Sequence, residues 1–134
     1  MTRQELNQLY YLKKDIKYTK NKIQELEDRA TKITANLSLA SVKGGANSKD
    51  AIYAQLIDLK NCLEKKVKER EDLRLDLLKY IESIEDAQIR YIFKYRYINH
   101  YSWRKIAFKI GGGNTADSVR KRHERYLKNF NKNN

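Results

Sequence analysis

Basic side chains near the carboxyl end of the chain have the types and spacing that binding to a polyanion requires. Lys121, Arg125 and Lys128 fall on one face of a predicted helix, together with the hydroxyl of Ser118. Ammonium and guanidinium groups on such a face can neutralise phosphates, and polar side chains at the start of the helix can reach base edges in a major groove. The pattern therefore predicts a nucleic-acid interface on this helix.

Nine side chains have expected roles at this interface. Those early in the helix are predicted to read bases, and they are Asn114, Thr115, Ser118, Lys121 and Arg122. Later side chains tend to contact phosphates, which assigns that role to Arg125 and Lys128. Arg104 and Lys105, early in the preceding predicted helix, are expected to meet the DNA backbone as well.

Catalytic and metal-binding chemistry finds no support in the residue types present. The chain has two histidines and one cysteine, too few for a usual set of nitrogen and sulfur ligands to a metal. The sequence contains no phosphate-binding loop, nucleophile motif or cofactor fingerprint. We therefore predict that the protein is not an enzyme and has no catalytic residue, metal or cofactor.

The basic helix is preceded by another short helix and by three consecutive glycines. Ser102 is a suitable N-cap for the first helix, and Gly111 stands where a helix-ending glycine is expected. Each helix has one apolar stripe. The stripes are Trp103, Ile106, Ala107 and Ile110 in the first helix, and Val119, His123, Tyr126, Leu127 and Phe130 in the second. This combination indicates a helix-turn-helix with Trp103 in its core and His123 at a core or boundary position.

Two long helices, over about residues 3–37 and 49–83, are predicted before this module. The first has a clear heptad pattern, formed by Leu9, Ile16, Ile23, Ala30 and Leu37 with Leu12, Thr19, Leu26 and Ile33. The second has a stripe that includes Ile52, Leu56, Leu59, Leu63, Leu73 and Leu77 but is interrupted by Lys66 and Arg70. The stripes predict pairing, either with each other as an antiparallel hairpin or with another subunit.

The expected fold is all-α: a long two-helix coiled-coil hairpin followed by a three-helix helix-turn-helix module. Residues 1–83 form the hairpin, with a loop at about 38–49, and serve oligomerisation or partner binding. Residues 84–134 form the DNA-binding domain, with helices at about 86–98, 102–110 and 115–130.

Charge supports a polyanionic partner. The formal net charge is +12, and residues 83–134 alone carry 12 Lys and Arg against 4 Asp and Glu, a net +8. Such an excess favours nucleic acid first and an anionic membrane surface second. No apolar run is long enough for a membrane span, and the N-terminal stretch lacks a signal-peptide core. With a single cysteine, Cys62, the chain is expected to be cytoplasmic.

Residues 86–127, DAQIRYIFKYRYINHYSWRKIAFKIGGGNTADSVRKRHERYL, resemble the region-4 helix-turn-helix of sigma factors. They are more closely similar to the ArpU/RinA-type late-gene transcription regulators of Gram-positive phages. The resemblance implies a phage- or prophage-encoded regulator that binds double-stranded DNA in a bacterial host cell. The long helices would dimerise the protein or hold a partner such as host RNA polymerase.

One departure from the family pattern affects the interface. Val119 follows Gly111 by eight residues, because the stretch GGGNTADSV is two residues longer than the usual turn. Either the turn is extended or the basic helix begins earlier, and the two possibilities bring different side chains to the bases.

Two other functions fit part of the sequence. A phage small terminase subunit, which recognises packaging-site DNA, also joins a helix-turn-helix to helical oligomerisation segments. A protein-binding adaptor would use the hairpin alone, with the basic end incidental.

Overall fold

The computed structural model describes residues 1–39 and 46–133, and all regular structure in this part of the chain is helical. Its five α-helices are α1 (Arg3–Leu39), α2 (Ala46–Glu82), α3 (Ala87–Phe93), α4 (Trp103–Ile110) and α5 (Ala116–Asn133). The predicted all-α fold is confirmed. Residues 40–45 of the predicted loop lie outside the described part, and α2 begins before its expected start near residue 49. Within the described residues, no helix combines the length and apolar character that crossing a membrane requires.

The chain forms two compact units, and both long helices contribute to each. One unit comprises Met1–Lys13 and Asp72–Asn134, and the other comprises Lys14–Glu71. The boundary expected near residue 83 followed the change in charge and aromatic content, whereas the compact units follow how closely the backbone segments approach one another. The ends of α1 and α2 therefore belong with the three short helices.

The unit that contains the short helices has two buried clusters. The larger joins both long helices to the helices that follow, through Leu6, Leu9, Leu12, Leu77, Ile81, Ile84, Phe93, Tyr97 and Leu127. The smaller lies inside the three-helix module and consists of Ile92, Ile106, Ala107 and Val119. Because a buried aliphatic or aromatic side chain contributes about 1.5–3 kcal/mol, these clusters fix how the short helices pack.

In the other unit, the middle segments of α1 and α2 pack against each other in antiparallel directions. Lys60 pairs with Glu27 at 3.4 Å, whereas Arg70, further along α2, pairs with the earlier Asp15 at 3.1 Å. Arg70 also donates a hydrogen bond to the Thr19 hydroxyl at 3.2 Å. Of the two predicted arrangements for the long helices, the antiparallel hairpin is therefore observed. Arg70, which interrupts the apolar stripe of α2, is bound to polar side chains of α1.

Part of the stripe predicted on α2 does not face α1. Ile52, Leu59 and Leu73 are 43%, 45% and 42% exposed, whereas Leu56 and Val67 are buried. Heptad spacing explains this difference, because Ile52, Leu59 and Leu73 form a series of their own beside the one that contacts α1. The second series therefore leaves separate apolar side chains exposed on α2, with Lys66 between Leu59 and Leu73.

The predicted helix at 86–98 ends in a wider turn. Asp86 caps α3 by accepting a hydrogen bond from the Ile89 amide at 2.9 Å. From Lys94 to Ile98 the helix is of the π type, and the Asn99 amide donates to the Lys94 carbonyl five residues earlier at 3.1 Å. Such widened turns occur often at functional sites. Here the turn carries Tyr97 into the larger buried cluster.

Candidate nucleic-acid interface

The turn between α4 and α5 depends on glycine at successive positions. The Ser102 hydroxyl caps the start of α4 by accepting from the Lys105 amide at 3.2 Å, and the Gly111 amide donates the last helical hydrogen bond, to the Ala107 carbonyl at 2.9 Å. Gly111 has φ +72° and ψ −155°, a region open essentially only to glycine. Gly112 and Gly113 also have positive φ, at +64° and +78°. The turn is therefore extended, and α5 does not begin earlier.

Substituting Gly111 with alanine is expected to lower the free energy of unfolding by about 1–3 kcal/mol, the usual cost of holding a side chain in a forbidden backbone region. No heavy atom lies within 4 Å of the position that the new Cβ would occupy, so backbone strain alone causes the loss. Urea unfolding of Gly111→Ala measures it. A variant as stable as the wild type would show that this backbone conformation is not required.

Three of the side chains predicted to read bases form hydrogen bonds within the chain at the beginning of α5. The Thr115 hydroxyl accepts from the Ser118 amide at 3.1 Å, and the Ser118 hydroxyl accepts from the Thr115 amide at 2.8 Å. This reciprocal pair is a capping box, with serine in the place usually taken by glutamate or glutamine. The Asn114 side-chain amide donates to the Gly111 carbonyl at 2.7 Å. These side chains fix the direction in which α5 leaves the turn.

The cations on α5 differ in whether they have an ion-pair partner within the described part of the chain. Asp117 holds Arg120 at 2.7 Å and Lys121 at 2.9 Å, and hydrogen bonds from Arg120 and then Lys121 lower the pKa of its carboxyl. Arg125 and Lys128 are exposed and have no ion-pair partner within the described part of the chain. The predicted phosphate-binding cations are therefore the ones available to an external anion.

The remaining predicted residues lie around this face. Arg122 is partly buried and donates to the side-chain carbonyl of Gln88 on α3. Arg104 and Lys105 are exposed on α4, where the Lys105 ammonium lies 3.9 Å from the centre of the Tyr101 ring. Seven of the nine predicted residues thus share the turn and α5, and the other two lie on the outer side of α4.

The opposite face of α5 is anchored by His123. Its side chain is fully buried, in agreement with its predicted core or boundary position, and lies against the rings of Phe93 and Trp103. The Tyr97 hydroxyl is 2.5 Å from His123 Nε2. Nothing in the sequence pattern indicated this contact, because Tyr97 and His123 lie on different helices. The only available signal was aromatic enrichment in this part of the chain.

Burial lowers the pKa of His123 from 6.5 to about 4. The unfolded chain therefore binds one more proton than the folded protein between these pH values, and stability falls as the solution becomes more acidic. We expect the free energy of unfolding to decrease by about 2 kcal/mol from pH 7 to pH 5. Urea unfolding at both pH values tests this, and His123→Gln, which does not titrate, should lose much less. An equal loss in that variant would assign the effect to other groups.

Comparison with known proteins identifies a family. A family model described as a protein of unknown function, DUF1492, matches residues 32–128, well over half of the chain. No curated protein and no solved structure matches the chain. The matched span begins near the end of α1 and includes α2, the three short helices and the basic face. The chain therefore belongs to the DUF1492 family.

Proposed function

We propose that this protein is a sequence-specific DNA-binding transcription regulator of the phage late-gene type. The observation that supports the proposal best is a helix that follows a helix-ending glycine turn and exposes Arg125 and Lys128, neither of which has an ion-pair partner among the described residues. The resemblance of residues 86–127 to ArpU/RinA-type regulators favours the same function, and so does the net +8 of residues 83–134.

In this proposal α5 is the recognition helix. Its first turn would reach base edges in the major groove, while Arg125 and Lys128 would bind phosphates further along. The contacts of Asp117 with Arg120 and Lys121 are solvent-exposed, and ion pairs in water are weak. A DNA phosphate can therefore take these cations from Asp117 at little cost.

The hairpin would supply an interaction surface. Ile52 and Leu59, exposed on the unit Lys14–Glu71, favour self-association or contact with a partner such as RNA polymerase. The same side chains suit the packaging alternative, a small terminase subunit. Mass in solution separates the two, because a closed ring of many subunits favours packaging, whereas a monomer or dimer favours regulation.

Binding to fragments of the genome that encodes the protein tests the proposal. We expect a gel shift at a discrete site that survives an excess of bulk competitor DNA. Binding that bulk DNA removes equally from every fragment would contradict sequence-specific regulation. Absence of any DNA binding would instead favour the protein-binding adaptor.

A further inference from the structure

A polar cavity of about 220 Å³ is lined by Arg120 and Glu124 of α5 together with side chains from α1, the π-type turn and α4. Three arginines from three different helical segments line it, with an amide, a phenol, an indole and one carboxylate: Arg3, Arg96, Arg120, Asn7, Tyr97, Trp103 and Glu124. Three guanidinium groups against one carboxylate leave the lining with an excess of positive charge.

Arg96 is the most constrained of the three arginines. Its guanidinium lies 4.2 Å from the centre of the Trp103 ring and donates to the Tyr101 carbonyl at 3.1 Å. It has no carboxylate within 4 Å in the part of the chain that the structure describes. A guanidinium has five N–H donors, so this partly buried cation keeps donors for another acceptor.

Arg3 and Arg120 already have partners, but the partners are exchangeable. Arg3 pairs with Glu124, and Arg120 pairs with Asp117 at 2.7 Å. All four side chains are at least one third exposed. Solvent-exposed pairs of this kind are weak, and a doubly charged oxyanion can outweigh them. Glu124 is the one lining group that opposes an anion, because its carboxylate would repel it.

The pKa values of two buried side chains at the cavity, Tyr97 and His123, respond to its positive charge. Burial raises the pKa of the Tyr97 hydroxyl, but Arg3 and Arg96 act in the opposite direction. At His123 the pKa is about 4: burial is the main cause, Glu124 opposes it, and Arg3 and Arg96 act in the same direction as burial. Both side chains therefore lie in the field of the two arginines.

From this geometry we infer that the cavity is a binding site for a phosphate-type oxyanion, held by Arg96 with Arg3 and Arg120. Planar guanidinium forks match the oxygens of phosphate in two-point hydrogen bonds. The phosphate has two sources with the same chemistry: the backbone of bound DNA or a free phosphorylated compound. Only the DNA source depends on the proposed function.

Trp103 is the only tryptophan in the chain and lines the cavity, so its fluorescence reports on occupancy. We expect inorganic phosphate, compared with chloride at equal ionic strength, to give a saturable change. Arg96→Gln should weaken phosphate binding about tenfold or more, the loss of one hydrogen bond to a charged group. Glu124→Gln should strengthen it, because the repelling carboxylate is removed. Lys65→Gln, an exposed charge loss on α2, should match the wild type.

A second measurement distinguishes the two sources. If the cavity holds a DNA phosphate, Arg96→Gln should reduce by about one the slope of duplex affinity against salt concentration on logarithmic axes. If it holds a free compound, the slope stays unchanged while phosphate binding is lost. Where Arg96→Gln does not fold, as judged by circular dichroism, the exposed Arg3→Gln replaces it.

The proposal is overturned if phosphate and chloride have the same effect and the arginine variants also leave the salt slope unchanged. It is equally overturned if phosphate binds but Glu124→Gln fails to strengthen binding and Arg96→Gln fails to weaken it. A protein that binds phosphate in this pattern but no duplex would refute the proposed function alone.

Discussion

Substituting Phe93 with alanine will lower the free energy of unfolding by about 3–5 kcal/mol, the usual loss when a buried phenylalanine is truncated. Phe93 is fully buried in the larger cluster and contacts the rings of Tyr97, His123 and Tyr126 at centroid distances of 5.7, 4.7 and 5.4 Å. The cavity left behind forfeits all of these contacts. Urea unfolding followed by circular dichroism measures the loss.

Phe108 provides the matched control, because Phe108→Ala is the same chemical change at a side chain that is 84% exposed. We expect it to change stability by less than about 0.5 kcal/mol, as is usual at exposed positions. Similar losses in Phe93→Ala and Phe108→Ala would contradict the packing described for the short helices.

Reversing the charges of Arg125 and Lys128 together will weaken duplex DNA binding about a hundredfold near 0.1 M salt. Each lost phosphate contact costs roughly eightfold at this salt concentration, and the new carboxylates add repulsion. The slope of affinity against salt on logarithmic axes should fall by about two, one for each contact. Fluorescence anisotropy of Arg125→Glu with Lys128→Glu, measured at several salt concentrations, gives both quantities.

Lys65→Glu with Lys68→Glu is the matched control. These lysines are exposed, lie on α2 and have the same three-residue spacing as Arg125 and Lys128. The control pair changes the net charge of the protein by the same amount. Binding that weakens equally in both double variants would mean that overall charge, and not the α5 face, determines affinity.

The sequence predicts the helices well because their signals are local. The cap at Ser102 and the stop at Gly111 follow from single residue types, and both are present in the structure. The heptad stripes predicted the two long helices, and the α5 stripe placed His123 at a core or boundary position. Each of these features depends on residues within a few turns of one another.

Features that depend on distant residues were not predicted. The π-type turn at Lys94–Ile98 has no local signal, although it carries both Arg96 and Tyr97. The pair formed by Arg3 and Glu124 joins side chains 121 residues apart. For the same reason, the sequence did not show that the ends of the long helices pack with the short ones.

Two residues of the expected interface have a structural role as well as the predicted DNA-binding role. Thr115 and Ser118 are predicted to read bases, and their hydroxyls form the capping box of α5. In a usual capping box, a serine or threonine is followed three residues later by glutamate or glutamine. Here a serine takes that place, so the sequence indicates the capping role only weakly. Both roles are compatible, because a cap fixes where the first turn of α5 points.

An NMR titration of the isotopically labelled protein with duplex DNA tests the central claim, that the outer face of α5 is a DNA-binding surface. We expect the largest chemical-shift changes at outward positions of Asn114–Lys128, with smaller changes at Arg104 and Lys105. Shifts confined to the hairpin segment Lys14–Glu71, or no shifts with any duplex, would contradict it.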